Sequence, residues 1–470
     1  MSYLRKSILA LAVASLAGCA TVDINQSIDQ TNLRTQSLTA GKVSLALNAT
    51  QKQVLGETTD KLLAQPLTMA GSVQLMLANS PDFQALLAQN WANQALAAQS
   101  GRIANPLLTF ERITTGDQLE IGRLITFGLL DILSLPWRQQ SASLRIEQAQ
   151  LQMSSDVIGQ SVAVQQAWVD AVVAKQKETY AKKVLSSAQA GAQLAKRLAE
   201  VGNFTTTQRI RQQMFYSDAV VTYAQAKQTS IATREKLGRI LGLTTEQMAK
   251  LKIPDHLPAL PDAPMDSAKV AQMATNRLDI EMARLAYNSA LKRAGFATVG
   301  SFIDVDLGIR RNSVYDRASG NLSNPRGYEL DIRLPLFDWG ELKRDAFGAD
   351  LLSKANLLEG TIRNAESSLR ESYSAYRTAY DIAKHYRDDV IPMQEALADE
   401  GVSQYNGMLI STFELLAESR NQVRAGQAAI ESVGNFIRAQ LALESTLMGK
   451  PLNANLMMSS TGGQASAGGH

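Results

Sequence analysis

The chain has 470 residues, 45% of them apolar, with one cysteine and three histidines. Its 47 basic side chains stand against 44 acidic ones, a net charge of +3, and two of the basic ones, Arg5 and Lys6, lie in the first few residues. The near-neutral remainder excludes the electrostatic footprint of a nucleic-acid binder, and the length points to several domains or one large elongated one.

The start, MSYLRKSILALAVASLAGCATVD, joins a basic patch, an apolar run from Ile8 to Ala17 and small residues. Residues 1–18 therefore read as a secretory signal, too short to span a bilayer. The one cysteine, Cys19, closes Leu16-Ala17-Gly18-Cys19, which resembles a bacterial lipobox and implies cleavage before Cys19 and its diacylation. Ala20 follows in place of Asp, which in lipoproteins implies export to the outer membrane. An acylated Cys19 leaves no thiol for a disulfide, redox chemistry or a thiolate metal site.

After an N-terminal segment, 19–65, the first repeat occupies 66–253. Its helix NSPDFQALLAQNWANQALAAQ starts at Asn79, and Leu108 and Phe110 alternate with Thr109 and Glu111, whereas the next stretch, LITFGLL, hardly alternates. No proline falls between Pro136 and Pro254, and proline is the strongest helix breaker. Leu151, Ile158, Val162, Val169, Val173, Tyr180, Val184, Leu194, Leu198 and Val201 recur in steps dominated by four and seven, a coiled-coil-like seam. The spacing predicts one helix from Trp137 to Val201, on the order of 100 Å long. VGNFTTTQRI (Val201 to Ile210) then turns the chain into a returning helix.

The linker IPDHLPALPDAP ends at Pro264, and 254–264 divides the repeats. The second repeat, 265–450, restates the plan, with Asn276 and Asp279 on Asn79 and Asp82. Ile303, Val305, Leu307 and Ile309 alternate with Phe302, Asp304, Asp306, Gly308 and Arg310, and Tyr328, Leu330, Ile332 and Leu334 with Glu329, Asp331 and Arg333. That period suits a strand pair between lipid and water, or equally a half-buried soluble hairpin. Pro392 should kink or break the second long helix. NGMLISTFEL, from Asn406, forms the second tip. Gly202 and Gly407 permit left-handed backbone at the two turns, with Thr206 and Ser411–Thr412 capping the returning helices. The tail from 451 to 470 reads as disordered.

PLTMAGSVQLMLANSPDF, NRLDIEMARLAYNSA, LPLFDWGELKRDAFGAD and the two tips occur in this order between about Pro66 and Leu447. Together they resemble the TolC-like outer-membrane factor family, in the lipoprotein branch similar to OprM and CusC. The resemblance implies a mainly α chain with a small β part: a long α-helical coiled-coil barrel and a transmembrane β-barrel, both shared by a homotrimer. It implies an exit duct for drugs or metal cations, anchored and inserted in the outer membrane of a Gram-negative bacterium. Its partners would be a periplasmic adaptor (membrane fusion) protein and an inner-membrane pump of the resistance-nodulation-division type. Arg197, Val201, Gly202, Asn203 and Thr206 match the family's adaptor-docking tip pattern. The second tip, with Gly407, Ser411 and Thr412, departs from it, since Val402 stands where a base is expected. Glu414 matches an acidic position at the tunnel entrance, with Glu418 nearby. Three copies of Glu414 crowded together would each ionise less readily than a free Glu. Similar prolines to Pro392 in the heavy-metal branch tilt the cargo toward cations.

Physics favours an oligomer independently, because four strands cannot close a barrel and open edges are not tolerated in lipid. His256, His385 and His470 lie far apart, and no phosphate-binding glycine loop or nucleophile elbow occurs. No metal, cofactor or catalytic residue is therefore expected, nor is an enzyme. Two alternatives are a coiled-coil lipoprotein that tethers the outer membrane without a pore, and a type I secretion duct.

Overall fold

The proline-free stretches and the two strand pairs set the element order in the computed structural model, which describes residues 22–39, 41–268, 270, 277–300, 304–333, 337, 339–407 and 409–451. The lipobox with Cys19, the Asn276 match, Phe302 and Ile303, four residues of LPLFDWG including Leu334, and the tail beyond 451 lie outside these residues. Helices α1 (Ile24–Thr39) and α2 (Ala49–Leu63) come first. Then follow α3 (Met69–Asn79), α4 (Pro81–Gln99), β1 (Leu107–Thr115), β2 (Gln118–Gly128), the short α5 (Leu129–Leu133), α6 (Leu135–Glu200), α7 (Thr206–Leu241) and α8 (Thr245–Lys250). Beyond Pro264 lie α9 (Leu278–Gly300), β3 (Asp304–Asp316), β4 (Leu322–Ser323), β5 (Arg326–Arg333), α10 (Glu341–His385), a π turn (Tyr386–Val390), α11 (Ile391–Asn406) and α12 (Thr412–Leu447). The chain is mostly helical, with one small antiparallel sheet. Helix α6 runs for 66 residues within two residues of its expected start.

The chain divides into two compact units. The first, residues 89–153 and 280–362 with the N-terminal residues to Ser27, contains the sheet. Its long strands run β1-β2-β3-β5, so the β1–β2 and β3–β5 pairs join edge to edge, β2 on β3 from Gln118↔Asp316 to Gly128↔Asp306. Residues opposite in register share a face. Leu108, Ile125, Ile309 and Tyr328 form one row, and Phe127, Leu307 and Leu330 the next. Tyr328 is 86% exposed and Leu108 68%, so this apolar face has no cover among the described residues. On the opposite face Arg310 pairs with Glu329 at 3.1 Å and Glu111 at 3.7 Å, and Asn312 donates to Glu120. The weak alternation of LITFGLL has a local cause: Leu124 shares the polar face and lies over Gly308, where an added Cβ would come within 2.8 Å of Leu124 Cδ1.

The second unit, residues 28–88, 154–279 and from 363 on, packs the tip-proximal parts of the long helices. Trp168 is buried and its indole N–H donates to the Leu67 carbonyl at 2.7 Å. The expected seam is buried from Leu151 to Val173 but not beyond: Leu194 is 54% exposed and Val201 70%. Closer to the tip the buried stripe is alanine at heptad spacing, Ala174, Ala181, Ala188 and Ala195, with Gly191 against Gln212 of α7. Small residues let helix backbones approach closely, a signal that a search for large apolar residues passes over.

Two left-handed glycines are set against helix starts. Gly242 (φ 67°) follows α7 and lies on Ser80 and Pro81, where Asn79 donates to the Leu241 and Gly242 carbonyls. Gly449 (φ 85°) follows α12 and lies on Leu278 and Asp279, with the Leu278 N–H donating to Met448. Buried Arg277 holds that corner by pairing with Asp279 at 2.8 Å and donating to the Ala365 carbonyl.

Pro392 neither breaks nor ends the second long helix. Proline offers no N–H to the carbonyl four residues back, and one π turn takes up the defect, with the Ile391 N–H donating to Tyr386, five residues back. Val390 and Ile391 keep right-handed helical torsions.

Candidate functional site

The two interhelical turns, both in the second unit, carry most of the singled-out residues. At the first, α6 ends in a Schellman arrangement: Gly202 sits at φ 81°, its N–H donates to Ala199 at 3.2 Å, and Asn203 N–H donates to Leu198 at 2.8 Å. The left-handed expectation holds for Gly202. A Cβ there would meet nothing within 4 Å, so backbone torsion alone favours glycine. Arg197, Val201, Asn203 and Thr206 are all exposed beside it.

The cap of α7 is Thr205, one residue before the expected Thr206, which is the first helical residue. Thr205 Oγ1 accepts from Gln208 N, and Gln208 Oε1 accepts from Thr205 N at 2.8 Å, a reciprocal capping box. Thr206 comes one residue too late, because its amide already lies inside the helix.

The second turn differs. Gly407 has φ −76° and ψ 1°, so the expectation of left-handed backbone there is wrong. Its N–H donates to Ser403 at 3.0 Å and Leu409 N–H donates to Gln404 at 2.8 Å, so two backbone bonds close the helix end. Ser411 is the cap and Thr412 the first helical residue, so only the first of that expected pair caps. Glu414 completes the box: its carboxylate accepts from Ser411 N at 2.8 Å and from Ser411 Oγ at 3.0 Å.

Those bonds, the backbone one first, hold the Glu414 carboxyl below its ordinary value. Within the chain this reverses the expectation of reluctant ionisation, because local hydrogen bonds favour the charged form. Sequence reasoning passed over both boxes, although Thr-x-x-Gln and Ser-x-x-Glu before helical runs are their signature.

Glu418, one turn on, is half-buried, and its Oε1 meets no hydrogen-bond partner among the described residues. Arg420, two residues further along α12, lies over the Phe215 ring of α7, 4.7 Å from its centroid. That cation–π contact ties the two returning helices.

Above the turns, an ionic chain links three helices. Lys177 of α6 pairs with Glu431 of α12; Arg438 bridges Glu431 (3.2 Å) and Asp170 (3.0 Å); Lys236 of α7 reaches Asp170 at 3.4 Å. Burial alone would raise the Glu431 carboxyl, but Lys177 and then Arg438 bring it below its ordinary value. Among the described residues there is no cluster of three or more His, Cys, Asp or Glu able to hold a metal, and no helix is long and apolar enough to cross a membrane.

Comparison with known proteins places this geometry. No protein-family model and no curated sequence matches the chain. Solved structures do. CusC, described as undergoing conformational changes on folding and transmembrane channel formation, is 14% identical, with a TM-score of 0.64 over 84% of this chain and 92% of its own. The CmeC outer membrane channel of Campylobacter jejuni is 12% identical, with 0.68 over 89% and 92%. The outer-membrane channel OprN is 17% identical, with 0.67 over 88% and 95%. The chain has the fold of these channels.

Proposed function

Starting from an outer-membrane channel fold, we propose that this protein is the outer-membrane exit duct of a tripartite efflux system. It acts as a passive homotrimer that exports small toxic compounds, drugs or metal cations. The observation that carries this reading is the sheet. Its four long strands bear apolar side chains on one face, exposed among the described residues, and β1 and β5 are its edges. Unpaired backbone is not tolerated in lipid, and copies joined β5 to β1 satisfy both edges.

Exposed Phe337 and Trp339, just past β5, suit the interfacial aromatic girdle of such a barrel. Cys19, diacylated after removal of residues 1–18, adds a lipid anchor in the same membrane. The long helices extend into the periplasm and line a tunnel. The first tip, with Arg197, Val201, Gly202, Asn203 and Thr206, and the second, with Gly407, Ser411 and Thr412, dock the hairpins of a periplasmic adaptor. That adaptor in turn joins an inner-membrane pump, of the resistance-nodulation-division type. Glu414 and Glu418 place negative charge at the tunnel entrance.

Deleting the gene in its host tests this reading. Substrates of the partner pump should accumulate in the cell, and re-expression should restore export, with the protein in the outer-membrane fraction. Unchanged accumulation for every substrate of every pump in that host would contradict an efflux role.

A further inference from the structure

The apolar face of the sheet is crossed by a row of arginines. In the register, Phe110 of β1 stands opposite Arg123 of β2, Arg123 opposite Arg311 of β3, and Arg311 opposite Arg326 of β5. Arg112 lies two residues further along β1 on the same face. All four arginines are exposed, and no carboxylate meets any of them among the described residues.

The face itself holds no acid. Its remaining positions on β1, β2, β3 and β5 are aliphatic, aromatic or hydroxyl-bearing. The opposite face behaves differently, since its Arg310 is held between Glu111 and Glu329. A second copy closing the sheet brings no relief, because β1 presents Leu108, Phe110, Arg112 and Thr114 on this face.

Position along the strands identifies what can neutralise the row. From Val305 to Arg311 the apolar rows extend about 20 Å at ~3.3 Å per residue, close to the ~25 Å apolar band of membrane barrels. The arginines sit at the end of that band nearer the turns at Gly116–Asp117 and 317–325, away from the helices that enter and leave the sheet. A lipid-facing arginine costs about 2–4 kcal/mol at the bilayer midplane but little at the interface. The row therefore fits the headgroup level of the outer leaflet.

We propose that Arg123, Arg311 and Arg326, with Arg112 beside them, form a binding site for the phosphate groups of an outer-leaflet glycolipid. The inference rests on the reading of this sheet as part of an outer-membrane barrel. Guanidinium groups suit phosphate oxygens bidentately, and a row spaced by neighbouring strands matches more than one phosphate on one headgroup.

The test uses the full-length protein purified in detergent, probed with bisphosphorylated lipid A, dephosphorylated lipid A and inorganic phosphate. Bisphosphorylated lipid A should remain bound in native mass spectra and raise the temperature at which the oligomer dissociates. The other two probes should do neither. The triple variant R123Q/R311Q/R326Q should bind lipid A roughly a hundredfold more weakly, about fivefold per arginine. R310Q, on the opposite face, should bind like the parent. Equal lipid A binding by parent and triple variant overturns the site, as does binding of inorganic phosphate that displaces the lipid. If instead the parent does not insert into phosphatidylcholine vesicles, the barrel reading fails with it, a result distinct from insertion without lipid selectivity.

Discussion

Glu414 accepts the Ser411 amide at 2.8 Å, and the Ser411 hydroxyl accepts the Glu414 amide at 3.2 Å. The side chain proposed to charge the tunnel entrance thus also starts helix α12. Charge and cap can be separated, because Gln208 completes the equivalent box at the first turn. E414Q should lower cation selectivity in single-channel recordings while leaving thermal unfolding in place, whereas E414A should disturb both. Its ionised form is favoured below the ordinary value of 4.5. Selectivity in the parent should therefore persist as pH falls past 4.5 and fade only beneath it. A midpoint above 4.5 would mean that like charges from neighbouring copies outweigh the cap.

The two turn glycines should respond unequally. Gly202 stands at φ 81° and Gly407 at φ −76°. G202A should destabilise by about 1–2 kcal/mol through left-handed strain alone, read as a lower unfolding midpoint, and G407A should be close to neutral. If docking depends on the turn rather than on glycine itself, efflux should fall with G202A while outer-membrane levels hold.

Gly242 and Gly449 combine left-handed torsion with close contact. A Cβ at Gly242 would lie 2.8 Å from Ser80 Cα, and one at Gly449 2.7 Å from Leu278 N. Backbone atoms cannot swing aside as a side-chain end can. G242A and G449A should each cost about 3 kcal/mol or more and lower the amount of folded protein, an effect that G202A, facing open space, should not show to the same degree.

Much of this fold was legible from punctuation. The absence of proline from 137 to 253 located α6 to within two residues, and alternation from Val305 to Ile309 located β3. Gly202, followed by threonines, marked a true left-handed turn. The misreadings have physical causes. Gly407 resembles Gly202 in preceding a capping hydroxyl residue, Ser411 as against Thr205, yet composition does not reveal torsion, and Gly407 keeps φ −76° with its N–H on Ser403. Ala181, Ala188 and Ala195 bury the lower part of α6, while the larger Leu194 and Val201 point outward. Lys177, Glu431 and Arg438 are ordinary charges in sequence, and only the packing of α6 against α12 brings them together.

That ionic chain makes stability depend on pH. The folded Glu431 carboxyl lies below its ordinary value of 4.5, so its contribution is fully present above 4.5 and is lost as pH falls through the lower folded value. E431Q should cost about 1–2 kcal/mol at pH 7, scaled down from fully buried pairs because the Lys177 side chain is 37% exposed. The cost should shrink toward pH 3. Glu444 has the opposite sign: burial raises its carboxyl, so E444Q should stabilise at neutral pH, and the gain should vanish in acid. Denaturant unfolding of both variants at pH 7 and pH 3 checks the pair.

The most direct test of the duct reading is electrical. The purified protein added to a planar bilayer should insert as a trimer that dissociates only on heating, and should give discrete ion-conducting steps whose size does not depend on added nucleotide. A monomer in detergent that leaves the bilayer electrically silent at every concentration tried, though folded by circular dichroism, would contradict it.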